Sequence, residues 1–116
     1  MKGYVTNIEK DAMGNEYFRK VLYTDERVQL VVMSLKPGED IGEEVHQLDQ
    51  FIRVEAGEGS AVLDGVAHEI KDGFAVVVPA GTLHNVINTS ADKPLKLYTI
   101  YSPPNHQDKT IHSTKA

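Results

Sequence analysis

Apolar residues in this chain come in short, β-branched runs separated by turn residues, not in long stretches with helical spacing. Runs suited to strands cover 17–22, 28–35, 45–56, 60–63, 66–70, 74–78, 83–88 and 95–101. The breaks are Pro37-Gly38, Gly57-Glu58-Gly59, Asp64-Gly65, Asp72-Gly73, Ala80-Gly81 and Lys93-Pro94. Asp64-Gly65, set between SAVL and VAHEI, signals a tight hairpin because both turn positions call for positive φ. No segment repeats apolar residues at i, i+3, i+4 and i+7 over a helical length. The pattern predicts one all-β domain over 1–116, a sandwich or barrel with its core at about 17–101 and little helix. The first dozen residues and the tail, 103–116, are not placed by it.

Strand parity adds chemistry. Within GEDIGEEVHQLDQFIRVEAG, Glu44, His46 and Gln50 share even numbering with Ile52 and Val54, so one face would carry all five unless a bulge intervenes. Phe51, Arg53 and Glu55 would then point outward. A carboxylate, an imidazole and an amide buried unpaired would cost on the order of several kcal/mol. A metal ion would satisfy all three; so would mutual hydrogen bonds near an open rim. In GFAVVVPAGTLHNVIN, Pro79-Ala80-Gly81 makes a turn and His84 opens the next strand. A lone histidine beside a turn is more often structural than a ligand. Parity expects Val32, Ile52, Val54 and Val86 as apolar walls, leaves Tyr98 and Tyr101 equal candidates for the cavity, and lets either Arg19 or Lys20 face in.

Composition narrows the partners. The chain has 116 residues, no cysteine and a formal net charge of −5. There is no disulfide framework and no thiolate chemistry, which fits a reducing compartment. Net acidity argues against nucleic acid, which demands clustered cations. No charged residue occurs from Gly73 to Ala91, yet Pro79, Gly81, His84, Asn85 and Asn88 interrupt that stretch, so a membrane span is not expected. The first residues, MKGYVTNIEKDAMGNE, lack the apolar segment of a leader. The expected location is the cytoplasm.

Taken together, the two polar segments resemble the paired motifs of the cupin superfamily. Gly73-x5-Pro79-x-Gly81-x2-His84-x3-Asn88 is similar to the second cupin motif, and Gly38-x5-Glu44-x-His46-x3-Gln50-x6-Gly57 to the first. The first departs at two places: cupins usually carry His where Glu44 stands and Glu where Gln50 stands. The resemblance implies a double-stranded β-helix, or jelly-roll barrel, often dimeric. It also implies one divalent metal ion (Zn, Fe, Mn, Co or Ni) on Glu44, His46, Gln50 and His84. By the same match Gly57, Pro79 and Gly81 serve turns and Asn88 is structural. The ligand composition is similar to that of cupin-type phosphomannose isomerases with the Gln and Glu places exchanged, as in small cupins called mannose-6-phosphate-isomerase-like. Glu44, His46 and His84 also form a two-His-one-carboxylate set, as in many non-haem iron oxygenases.

The expected activity is metal-dependent isomerisation or epimerisation of a small hydroxy-carbonyl or sugar-like molecule, with Glu44 available as a base. The alternatives are a non-haem iron dioxygenase, a non-catalytic small-molecule or metal-binding barrel, and a metal-free structural barrel. The tail by default lies solvated. Alternatively it folds over the barrel mouth and adds His106 or His112 as acid or base, its departure stiffened by Pro103-Pro104. A homodimer is expected, because a small barrel leaves apolar surface exposed, with outward Phe51 a candidate interface residue.

Overall fold

Asp64 and Gly65 take φ of 49° and 81° and close a two-residue hairpin in which Leu63 faces Val66, as the Asp-Gly pair requires. The computed structural model describes residues 2–115. Among the described residues nine strands follow one short helix: α1 (Ile8–Gly14), β1 (Arg19–Thr24), β2 (Gln29–Leu35), β3 (Asp49–Ala56), β4 (Glu58–Leu63), β5 (Val66–Lys71), β6 (Ala75–Val78), β7 (His84–Asn88), β8 (Leu95–Ser102) and β9 (Ile111–His112). A six-stranded sheet runs β6-β3-β8-β2-β1-β9 and a three-stranded sheet runs β5-β4-β7. All their strand pairs are antiparallel. The two sheets enclose a core of Val21, Val31, Met33, Leu35, Ile52, Val54, Ala61, Ile70, Val76, Val86, Leu95 and Leu97. The fold is the all-β jelly-roll barrel expected. Among the described residues no helix is long and apolar enough to cross a membrane.

Register fixes which side chains enter the barrel. Met33 pairs with Arg19 and Leu97, and Val31 pairs with Val21 and Thr99. Arg19, Met33, Thr99 and Leu97 therefore share the inner face. Lys20, Val32 and Tyr98 form an outer row across the same strands. Val32 is thus not an inner wall. It is buried because α1 and the chain after it cover this face, and it lines a cleft with Lys10, Tyr17, Lys20 and Leu22. Ile52, Val54 and Val86 do face the core.

Phe51 and Arg53 point outward, as parity predicts. Glu55 sits at a bulge after Val54 and is buried, 3.3 Å from Arg53. Phe51 is opposite both Val77 and Ile100, and Ile100 is opposite Leu30, so an apolar row crosses the outer face.

Helix α1 was not legible from apolar spacing because seven residues complete barely two turns and only Ala12 is buried. Polar chemistry sets its ends instead. The Asn7 side chain accepts from the Lys10 N–H, an N-cap, and Lys96 donates to the Asn15 carbonyl from the sheet beneath.

Two glycines show how tightly the sheets close. A Cβ on Gly59 would sit 2.3 Å from the Ile87 carbonyl oxygen, and one on Gly57, at φ 93°, would sit 2.4 Å from that of Pro94. Gly14 has open space around it. Gly59→Ala should lower stability by about 1–3 kcal/mol, as overpacking does. Gly14→Ala should leave it unchanged or slightly raised. Urea denaturation of both variants measures the contrast; equal midpoints would contradict the close approach.

Candidate metal centre at the sheet crossover

The chain from 39 to 50 changes sheets. The Ile41 N–H donates to the Val86 carbonyl, the Asn88 N–H donates to the Glu39 carbonyl, and Glu44 exchanges backbone hydrogen bonds of 2.9 and 3.0 Å with His84. This segment edges the smaller sheet along β7. A bend at Gln47–Leu48 then carries it into β3 of the larger sheet. Glu44 and His46 therefore precede the strand that holds Gln50. The continuous strand expected over 45–56 starts only at Asp49, because the segment pairs with β7 before the bend and with β6 and β8 after it.

The four expected donors nonetheless share the polar end of the barrel. Glu44 Oε2 lies 2.6 Å from His46 Nε2, and the His46 and His84 rings are 5.2 Å apart. The Gly81 N–H donates to the His46 carbonyl at 2.8 Å, fastening the turn before His84 to this segment. His84 Nδ1 donates to the Thr82 carbonyl at 2.9 Å, since a carbonyl only accepts. That fixes the tautomer and leaves Nε2 as the acceptor nitrogen, the arrangement typical of a ligating histidine. Gln50 is buried, and its Nε2 donates to Thr99 Oγ1 at 2.9 Å. Its Oε1 is closed off from solvent with no hydrogen-bond partner, an omission that costs roughly 1–3 kcal/mol.

Among the described residues no three His, Cys, Asp or Glu side chains already stand as a metal-coordinating group. Glu44 and His46 are turned onto each other instead. The donor chemistry fits a divalent ion all the same. Two imidazoles, one carboxylate and an amide oxygen lacking any acceptor role suit a first-row metal, and the Gln50 oxygen is the atom that protein hydrogen bonding alone leaves unexplained.

The tail does not lie free. Gln29, fully buried, accepts from the Asn105 and His106 N–H groups at 3.1 and 2.9 Å and donates to the His106 carbonyl at 2.7 Å. His106 stands edge-on to Tyr101 at 5.4 Å, and Tyr101 edge-on to His46 at 6.2 Å. Tyr101, not Tyr98, is the inward tyrosine. Farther along, β9 pairs with β1, setting His112 opposite Arg19, and Lys115 reaches Asp40 at 2.6 Å. The tail thus runs over the mouth from β1 to the crossover segment. His106 comes beside the cluster and His112 stays at the exposed rim.

Gln29, Thr99 and Asn105 were not singled out from sequence. Gln29 and Thr99 carry a signal, since both share odd parity with their inward neighbours Val31 and Leu97. Asn105, in an irregular tail, carries none.

Burial sets the charge states. It pushes the Tyr101 hydroxyl up to about 12, against the pull of Arg19, so Tyr101 stays a donor at neutral pH. It pushes His46 down, outweighing the upward pull of Glu44, with His84 and Arg19 adding to the fall. His106 drops to about 4, chiefly from burial and then from the positive potential of Arg19.

A histidine depressed in the fold resists protons that the unfolded chain accepts from about pH 6.5 downward. Stability should therefore fall as pH drops from about 6.5 and stop responding to this group below about 4. His106→Gln should flatten that part of the pH profile of the urea midpoint. A nuclear magnetic resonance titration should give the His106 ring a midpoint near 4; a midpoint at an unperturbed imidazole value would contradict its placement.

Comparison with known proteins agrees with this architecture. The family described as cupin domain matches residues 31–101. The uncharacterized protein YrkC of Bacillus subtilis (strain 168) is 47% identical over 99% of this chain and 65% of its own length. The chain thus spans about two-thirds of that relative. The crystal structure of BH2720 from Bacillus halodurans is 44% identical, superposes with a TM-score of 0.94, and is matched over 98% of this chain and 91% of its own. KdgF from Halomonas sp., at 23% identity and a TM-score of 0.69 over 75% of this chain and 78% of its own, shares the fold alone. With the family's motif segments lying within the matched residues, the chain belongs to the cupin domain family.

Proposed function

We propose that this cupin holds one divalent metal ion on Glu44, His46, Gln50 and His84 and acts on a small hydroxy-carbonyl or sugar-like molecule as an isomerase or epimerase. The observation that carries this reading is the buried Gln50 oxygen without a partner, in a cluster whose other members are two histidines and a carboxylate. When bound, a divalent ion supplies a Lewis acid for a carbonyl or enediolate oxygen.

The chain's own groups supply the rest. Tyr101, held protonated, donates a hydrogen bond to a ligand oxygen. His106, neutral at physiological pH, is in the form that accepts a proton. Its Nε2 lies 3.3 Å from the Asn105 amide nitrogen, so a substrate must displace that amide before Nε2 takes a proton from carbon. Glu44, whose side chain is about one-third exposed, is the second candidate base. The Ile52, Val54 and Val86 walls keep water from the inner side. The mannose-6-phosphate-isomerase-like form of this reading needs a cation for the phosphate. Arg19 is the inward strand residue that offers one. The outer row of Val77, Phe51, Ile100 and Leu30 supports a homodimer, which sedimentation at micromolar concentration tests.

His46→Ala should lower metal affinity by more than about 100-fold, beyond the usual loss of an outer-shell partner. Gln50→Ala should lower it less, because a neutral amide is the weaker donor. Competition titration with a chelating dye reads both. The reverse order, or unchanged metal content in both variants, contradicts the assignment. Turnover of hydroxy-carbonyl compounds by the metal-loaded protein tests the activity. A requirement for oxygen would replace the isomerase with a dioxygenase, and binding without turnover would leave a binding barrel.

A further inference from the structure

Arg19 enters the barrel from β1, opposite the fully buried Met33. Its Nη1 donates to His112 Nδ1 at 3.0 Å. An arginine only donates, so that nitrogen of His112 is the acceptor and the ring is neutral. The Phe18 ring packs against the guanidinium carbon at 5.0 Å. These two contacts hold the guanidinium plane from one end and one face.

The side-on fork of Nε–H and Nη2–H has no protein acceptor among the described residues. Nε is closed off from solvent and unpartnered, and among the described residues no carboxylate pairs with Arg19. Glu44, the acid of this cluster, is committed to His46. His112, opposite Arg19 on β9, belongs to the tail that sets His106 beside Tyr101 and Tyr101 beside His46, so Arg19 borders the same mouth, and its charge is felt at all three. A half-buried guanidinium without a counter-ion is costly, and its fork matches a carboxylate or phosphate in two parallel hydrogen bonds.

We propose that Arg19 is an anion seat, so that the ligand of this barrel is a small molecule carrying a carboxylate or phosphate at one end. The inference deepens the proposed function and rests on it for the other end, where carbonyl and hydroxyl oxygens meet the metal-binding residues. His112 is a positioning residue that holds the guanidinium by its other end. Because Nε has no contact with solvent, the fork turns outward about its Nη1 contact with His112 as the anion enters.

The test separates the two ends. The full chain, 15N-labelled and freed of metal with chelator, is titrated with inorganic phosphate and, separately, with acetate while the arginine Nε–Hε resonances are followed. The signal missing from Arg19→Lys identifies Arg19. It should shift saturably while those of Arg27 and Arg53 do not, and whichever anion binds more tightly names the oxyanion class. The His112 ring signals should follow the same curve, and in Arg19→Gln the apparent affinity should fall at least tenfold. Arg19→Lys guards against a folding defect, since it keeps charge and length but loses the fork; it too should bind at least several-fold more weakly. An Arg19 signal that moves no more than those of Arg27 and Arg53 overturns the anion seat.

In the second arm, the Zn²⁺-loaded protein is titrated with dihydroxyacetone phosphate and with dihydroxyacetone, which share the hydroxy-ketone. The phosphorylated member should bind at least tenfold tighter, and Arg19→Gln should erase that difference. A preference that survives in Arg19→Gln overturns the anion seat. If phosphate shifts Arg19 but dihydroxyacetone binds no better with Zn²⁺ than without it, the chelation reading fails and the anion seat stands.

Discussion

The polar end of this barrel depends on one crossover. Between Glu39 and Gln50 the chain gives up its hydrogen bonds to β7 and takes new ones to β6 and β8. Backbone donors and acceptors buried in a barrel need partners throughout, so the transfer can be made only where the sheets part and side chains can enter. Glu44 sits before the bend and Gln50 after it. His46 lies between them, its carbonyl tied to Gly81. The same bond sets the turn that presents His84. One backbone constraint thus brings together residues from two sheets.

Apolar packing and polar cluster divide the barrel by depth. Toward one end the inner rows are Leu35, Leu95, Leu97 and Val54; toward the other they become Gln29, Gln50, Thr99 and Tyr101. Asn88 closes the apolar end. Its amide donates to the carbonyls of Leu35, Lys36 and Lys93 while its oxygen accepts from the Ser90 N–H. Every polar atom of that buried side chain is engaged, so it needs no ligand. Gln50 is equally buried and only half engaged. That difference separates a structural amide from a candidate ligand in one barrel.

Much of this was legible in the sequence because antiparallel strands write their faces with a period of two. The hairpin at Asp64-Gly65, the inward Ile52 and Val54 and the outward Phe51 and Arg53 follow from local rules. Parity puts Glu44, His46 and Gln50 on one face, but His84 joins them only through the resemblance to the paired cupin motifs, and Glu44 and His46 reach the cluster through a crossover and not along one strand. What local rules could not settle depended on distant segments. Val32 is apolar and β-branched, yet it faces α1, a helix made by an Asn7 cap and not by apolar spacing. Arg19 and Lys20 are adjacent and alike in charge; only pairing with Met33 decides that Arg19 enters. The tail reads as a solvated terminus because its anchors, the buried amide of Gln29, the edge pairing with β1 and the Lys115–Asp40 ion pair, all depend on distant segments and leave no pattern within the tail.

The orphaned Gln50 oxygen is the atom by which the proposed metal site, shared with Glu44, His46 and His84, stands or falls. Anomalous diffraction from crystals of the metal-loaded protein, collected on both sides of the ion's absorption edge, addresses it directly. One peak bonded to Glu44, His46 Nε2 or Nδ1, the Gln50 oxygen and His84 Nε2 is the predicted result. A peak that leaves the Gln50 oxygen unbonded, or none within the barrel at saturating metal, would contradict it.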